Sequence, residues 1–179
     1  MKLESLLLVL LSALAASCTN VDGGGTAATG GGKVEVDFQE PDLFSDMGRS
    51  YTAAHGADRG YIDILREHFQ RAGANRVPEG YALSVTIMDV DMAGHFEPER
   101  GPEFADIRMV RSIYPPRIKL KYRLTDSTGA VRSEGERRLS NQNFELDRTP
   151  VNYDDPMVYE KALVDDFLSE IAQIAQEAK

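Results

Sequence analysis

Val34, Val36 and Phe38 alternate with Glu35, Asp37 and Gln39, a two-residue period that predicts a half-buried strand closed by Pro41. From Leu43 to Ala57 no period is visible, and a loop is expected. Ile62, Leu65, Phe69 and Ala72 then recur at helical spacing, with Asp58 placed to cap the helix and Gly73 placed to stop it. Pro78-Glu79-Gly80 reads as a turn into a long strand that starts at Tyr81. That strand changes phase: Leu83, Val85 and Ile87 share one face, whereas Met88, Val90 and Met92 share the other. A one-residue slip would expose a whole apolar set, so a bulge between Ile87 and Asp89 is expected, aiming Asp89 and Asp91 outward. Gly94 ends the strand.

A short strand through Ile107 and Met109 follows, and then a hairpin turning at Asp126-Ser127-Thr128-Gly129. Ile118, Leu120, Tyr122 and Leu124 are expected inward, with Arg117, Lys119, Lys121 and Arg123 outward. A four-residue loop would pair Thr125 with Ala130, Lys121 with Glu134 and Lys119 with Glu136. It would also set Arg123 against Arg132 and Arg117 against Arg138. The final helix is capped by Asp155 with Pro156 in its first turn. Tyr159, Leu163, Phe167, Ile171 and Ile174 form its apolar stripe, flanked by Ala162, Leu168 and Ala175. Asp154, Asp155 and Glu160 suit the positive end of its dipole. The order of elements predicts one α+β domain over residues 34–179. Its expected form is a two-layer sandwich, with a mostly antiparallel sheet of four to five strands and two amphipathic helices on one face.

The N-terminus reads differently. An apolar run from Leu6 to Ala16 follows a basic start and precedes the only cysteine, Cys18. The run is shorter than the ~20 residues a membrane span needs, and it has the form of an export signal over residues 1–17. Leu14-Ala15-Ala16-Ser17-Cys18 resembles the lipobox of bacterial lipoproteins, in which the cysteine is acylated. The resemblance implies attachment to a membrane through a lipid anchor on Cys18. Residues 18–33 include six glycines and read as a tether with a reach of roughly 20 Å. Thr19, where an aspartate would favour inner-membrane retention, implies by the same resemblance an outer-membrane lipoprotein facing the periplasm.

The formal charge of −9 and pI near 4.8 argue against a nucleic-acid partner. With one cysteine, no intramolecular disulfide can form. Asp89, Asp91, His95 and Glu97 concentrate oxygen and imidazole ligands, but Ala93 and Arg100 stand where a calcium loop needs oxygen donors. Arginines at 108, 111 and 117 are available to pair with these carboxylates, and Asp89, Asp91, Glu97 and Arg117 are expected to form one polar cluster. His55, His68 and His95 lack zinc spacing, and His68, on the first helix between Leu65 and Phe69, reads as a residue at the edge of the core rather than a ligand. There is no G-x-S-x-G, phosphate loop or dinucleotide fingerprint.

Asp89-Val90-Asp91-Met92-Ala93-Gly94 with Glu97-Pro98, Pro116-Arg117-Ile118, Gly135-Glu136, Asn143-Phe144, and Asp154-Asp155-Pro156 with Tyr159-Glu160-Lys161 resemble, in order and spacing, a bacterial family of exported proteins. That family is domain of unknown function family 3016. The resemblance spans about residues 34–169 and implies a domain without an assigned activity. Pro115 stands where the family often has tryptophan. The expected role is a non-enzymatic interaction module of the cell envelope, needing no cofactor and binding an envelope protein. A periplasmic small-ligand or divalent-metal carrier is the alternative, and behind it a hydrolase using Asp89, Asp91, His95 and Glu97.

Overall fold

The computed structural model describes residues 31–146 and 155–177. The segment expected to be an export signal, Cys18, most of the expected tether and Asp154 lie outside the described residues. The fold is α+β. Strand β1 (Lys33–Phe38), helix α1 (Arg59–Arg76) and strand β2 (Ala82–Asp91) are followed by the short strands β3 (His95–Phe96) and β4 (Arg108–Met109). Then come β5 (Arg117–Thr125), β6 (Val131–Ser140) and helix α2 (Val158–Glu177). The main sheet has the order β1-β2-β5-β6, and β3 and β4 make a second, two-stranded sheet.

The main sheet is mixed. β1 and β2 run parallel, because the chain between them passes through α1, whereas β2-β5 and β5-β6 are antiparallel. Gly32 and Lys33, read from the sequence as the end of the tether, already belong to the domain: their N–H groups donate to Val77 and Tyr81 carbonyls at 2.8 and 3.1 Å.

Asp58 caps α1 as expected, accepting from the N–H groups of Gly60 and Tyr61. Gly73 does not stop the helix, which continues to Arg76. A Cβ at Gly73 would lie 2.5 Å from Val34 Cγ2, so the glycine lets α1 settle directly against β1. α2 buries Leu163, Val164, Phe167, Leu168 and Ile171, whereas Ala162, expected on the buried flank, is exposed. Both helices share one core with Val36, Leu83, Val85, Ile87, Leu120 and Leu124 of the sheet. Phe167 meets Phe69 and Tyr122 edge-on, at 6.4 and 5.6 Å between centroids.

The bulge in β2 falls between Ile87 and Asp89, as the phase change requires. It brings Val90 and Met92 to the buried side along with Leu83, Val85 and Ile87. Past it, the neighbouring edge position is taken by Asp46, whose N–H donates to Val90 O at 3.1 Å and whose carbonyl accepts from Met92 N–H at 2.9 Å. The stretch expected as a plain loop is therefore a strap. Phe44, Asp46, Met47 and Ala54 are all buried.

The hairpin keeps the expected inward and outward faces but not the expected register. Thr125 pairs with Val131, and the next pair is Leu124 with Ser133, so Arg132 is the extra residue of a bulge. The cause is Asp126. Its carboxylate takes the Thr128 N–H and hydroxyl and the Ala130 N–H, and its Oδ2 draws Arg132 Nε to 2.7 Å. The Thr128 hydroxyl leads in holding this carboxyl down, at about 2. The two-residue shift sets Lys121 opposite Glu136 and Arg123 opposite Glu134. It also replaces the expected arginine pairs, with Arg117 now facing Ser140. Lys119 still reaches Glu136, diagonally, at 3.2 Å.

Candidate functional site

The chain concentrates its polar chemistry at the end of the sheet beyond the β2 bulge. Asp89 accepts from Ser45 N–H and Ser45 Oγ, both at 2.7 Å. Asp91 pairs with Arg117 at 2.7 Å. Together with Lys119 and Arg138 these residues line an open depression of about 450 Å³. Glu97 is drawn elsewhere. It is buried, and its carboxylate pairs with Arg111 at 3.1 Å and Arg100 at 3.2 Å. The four residues expected in one cluster thus split: Asp89, Asp91 and Arg117 share a depression, whereas Glu97 has its own arginines. Asp91, Arg117, Glu97 and Arg111 realise the carboxylate–arginine pairing open to them from the sequence. His95 is half-exposed, packs on Tyr114, and brings Nδ1 to 3.6 Å from Asp46 Oδ2. Among the described residues no group of three or more histidine, cysteine, aspartate or glutamate side chains could hold a metal ion.

The strongest polar contact at this end joins Asp46 of the strap to Arg108 of β4. Two parallel hydrogen bonds, 2.6 and 2.9 Å, connect them, and both side chains are largely buried. The guanidinium also donates to Gly94 O and Gly48 O at 3.1 Å each, and lies 4.5 Å from the Phe96 ring centroid. Gly94 has φ +79°, and a Cβ there would lie 2.8 Å from Met109 O. A side chain at 94 would strain the turn that presents its carbonyl to Arg108.

Beside this pair a cavity of about 280 Å³ opens between β3-β4 and the start of α2. Met92, Phe96, Val110 and Val158 supply apolar wall, and Arg49, Asp106, Arg108 and Asp155 supply polar wall. Asp155 holds the start of α2: it accepts from Met157 N–H at 3.0 Å and binds Lys161. Behind the wall lies Glu160, 1 % exposed. Its Oε1 accepts from Ala93 N–H at 2.7 Å, while Oε2 is buried without a hydrogen-bond partner among the described residues. Burial pushes this carboxyl up to about 7, against the Ala93 N–H and the field of Arg108, which favour its ionised form. On the far side of the core His68 Nε2 meets Asp165 at 3.1 Å, and burial lowers the imidazole pKa although Asp165 acts to raise it.

Asp46, Arg108 and Glu160 were not singled out as a site in the sequence. Asp46 sits in an aperiodic stretch, and Glu160 carries the same signal as any acid in the first turn of a helix. The available sign was weak: Arg108 interrupts an apolar neighbourhood, Ile107 to Val110, where a charge needs a partner to be buried.

The sequence profile of a family described as "Protein of unknown function (DUF3016)" matches residues 32–170. A search of curated proteins finds no match. Among solved structures, the chain aligns with the PelC dodecamer from Paraburkholderia phytofirmans, at 14 % identity over 83 % of this chain and 93 % of that one, with a TM-score of 0.33. A leucine-to-methionine variant of the same dodecamer aligns at 15 % identity over 84 % and 92 %, also at 0.33. Scores this low carry nothing over about assembly or role.

Proposed function

The chain belongs to the DUF3016 family of proteins of unknown function, and from that premise we propose that it is a non-enzymatic interaction module of the bacterial cell envelope. It is held by acyl chains on Cys18, at the outer membrane facing the periplasm, and it binds another envelope protein. The observation that carries this reading is apolar surface at one end of the domain. Tyr51, Ile107, Val110 and Ile113 are 49, 50, 43 and 67 % exposed, on two segments tied by the Tyr51 N–H to Asp106 bond. Leu43, Val131 and Leu146 are exposed as well, and it is the joining of the Tyr51 and Ile107 segments that favours this end as a partner surface.

Its location supports a protein partner over a lipid one. The chain enters the domain at the sheet end where Lys33, Ala82 and Thr125 are in register, and Asp91, Arg117 and Ser140 mark the other end. β2 alone separates the two ends by roughly 30 Å. The loops with the apolar residues follow the second end, away from the anchor's point of entry.

A small-ligand carrier is the second reading, favoured by the cavity, whose 280 Å³ approaches the ~300 Å³ at which ligand pockets begin. A divalent-metal carrier or hydrolase would draw on Asp89, Asp91, His95 and Glu97, and three of these are engaged with Ser45, Arg117 and Arg111.

Envelope fractionation of cells expressing the tagged full chain and its Cys18→Ser variant tests the anchor, and crosslinking before fractionation tests the partner. The expected result is membrane recovery that Cys18→Ser abolishes, with one reproducible envelope protein crosslinked to the parent. Unchanged membrane recovery and mass in Cys18→Ser would overturn the anchor, and the absence of any crosslinked protein would overturn the interaction role.

A further inference from the structure

The cations at the 280 Å³ cavity are already committed. Arg49 holds Asp58 at 2.8 Å, Arg108 holds Asp46 in two hydrogen bonds, and Lys161 behind the wall holds Asp155. Of the carboxyl groups in or behind the cavity wall, Asp106 and Glu160 have no ion pair among the described residues. Asp106 lines the cavity and is exposed, accepting from the Tyr51 N–H at 3.3 Å. Glu160 lies behind Ala93 with Oε2 unpartnered. Of the charged groups that line the cavity (Arg49, Asp106, Arg108 and Asp155), Asp106 is therefore the one with no opposite charge bound to it among the described residues, and it stands beside an apolar lining of Met92, Phe96, Val110 and Val158.

An apolar slot with an acid at its rim suits one kind of side chain, a long methylene stem ending in a cation. Lysine and arginine bury their stems on apolar surface while the charged head stays at the polar edge. We propose that this cavity receives a lysine or arginine side chain of a partner polypeptide, its stem along Met92, Phe96 and Val110 and its head at Asp106. A polypeptide fits better than a free amine because Tyr51 and Ile107 extend the apolar surface outside the cavity. Residues flanking the inserted side chain would cover them. The chain's formal charge of −9 adds long-range attraction for a basic partner. This inference rests on the interaction-module reading and gives its partner a chemistry.

The test titrates the tripeptide acetyl-Leu-Lys-Leu-amide, and separately acetyl-Leu-Glu-Leu-amide, into the chain from residue 18 onward carrying Cys18→Ser, with methyl NMR signals as readout. The lysine peptide should shift Met92, Val110 and Val158, and Asp106→Asn should weaken its binding by about two- to fivefold, the effect of one exposed ion pair. The glutamate peptide should leave these signals unmoved. No shift by either peptide, equal binding of both, or unchanged affinity in Asp106→Asn would overturn the assignment. The two readings fail separately. An envelope protein crosslinked equally by the parent chain and Asp106→Asn would leave the interaction role standing and remove the cavity from it. Lysine-peptide binding with no protein crosslinked in cells would keep the cavity's preference for a cation and overturn the polypeptide partner.

Discussion

Arg108 reaches Asp46 across 62 positions of sequence and closes a fork of two hydrogen bonds with it, at 2.6 and 2.9 Å. The pair fastens the strap beside β2 to the β3-β4 sheet, so one ion pair sets the wall between the core and the cavity. Taking two charges out of water is costly, and a planar guanidinium with four of its N–H groups engaged is what makes this burial tolerable.

Arg108→Met should therefore destabilise the domain by about 3 kcal/mol, because Asp46 is left buried and unpaired. Asp46→Leu combined with Arg108→Met should recover a large part of the loss. Urea unfolding of the three proteins measures this. A single variant as stable as the parent would mean the pair contributes nothing to the fold.

Gly73→Ala should also destabilise, by about 1–3 kcal/mol, although alanine is the better helix former by about 1 kcal/mol. The new Cβ would meet Val34 Cγ2 at 2.5 Å, and a β-branched side chain on a strand has little room to turn aside. Val34→Ala in the same chain should relieve the clash, giving a favourable coupling in a double-mutant cycle. Additive effects of the two changes would contradict the close approach.

Gly73 also shows where sequence reading loses its hold. At the end of an amphipathic pattern a glycine reads as a helix stop, and only the position of β1 turns it into a point of contact. Elements set by local periodicity were legible: β1, α1, the β2 bulge at Ile87–Asp89, the faces of β5 and the apolar stripe of α2. The hairpin register was not, because the Asp126 carboxylate adds a bulge at Arg132 that side-chain alternation does not encode. At the site, Asp89, Asp91 and Arg117 could be found because the bulge re-aims the strand that carries two of them. For Glu97 a pairing with Arg111 was open from the sequence, but its separation from Asp89, Asp91 and Arg117 was not. Asp46 and Glu160 gave no local sign because their burial is a product of tertiary packing.

Glu160 titrates in a physiological window. Its folded pKa, raised by burial to about 7, lies above the ordinary glutamate value of about 4.3, so the folded protein keeps a proton that the unfolded chain releases. Its contribution to stability is complete below about pH 4.3, declines as the pH rises, and is gone above about pH 7. Glu160→Gln keeps an acceptor for Ala93 N–H and removes the charge. It should flatten this part of the pH profile and raise stability at pH 8 by about 1–3 kcal/mol. Thermal melts from pH 4 to pH 8 measure it, and equal slopes in parent and variant would contradict the assignment.

The most direct measurement of the central claim is position-specific photocrosslinking in living cells. A photoreactive residue replaces Val110, beside the cavity, or Thr128, on the hairpin turn at the opposite end of the sheet, in the tagged full chain. The account expects one envelope protein joined to position 110 and not to position 128, with the adduct reduced when Asp106→Asn is added. Adducts of equal yield from both positions, or none from 110, would contradict it.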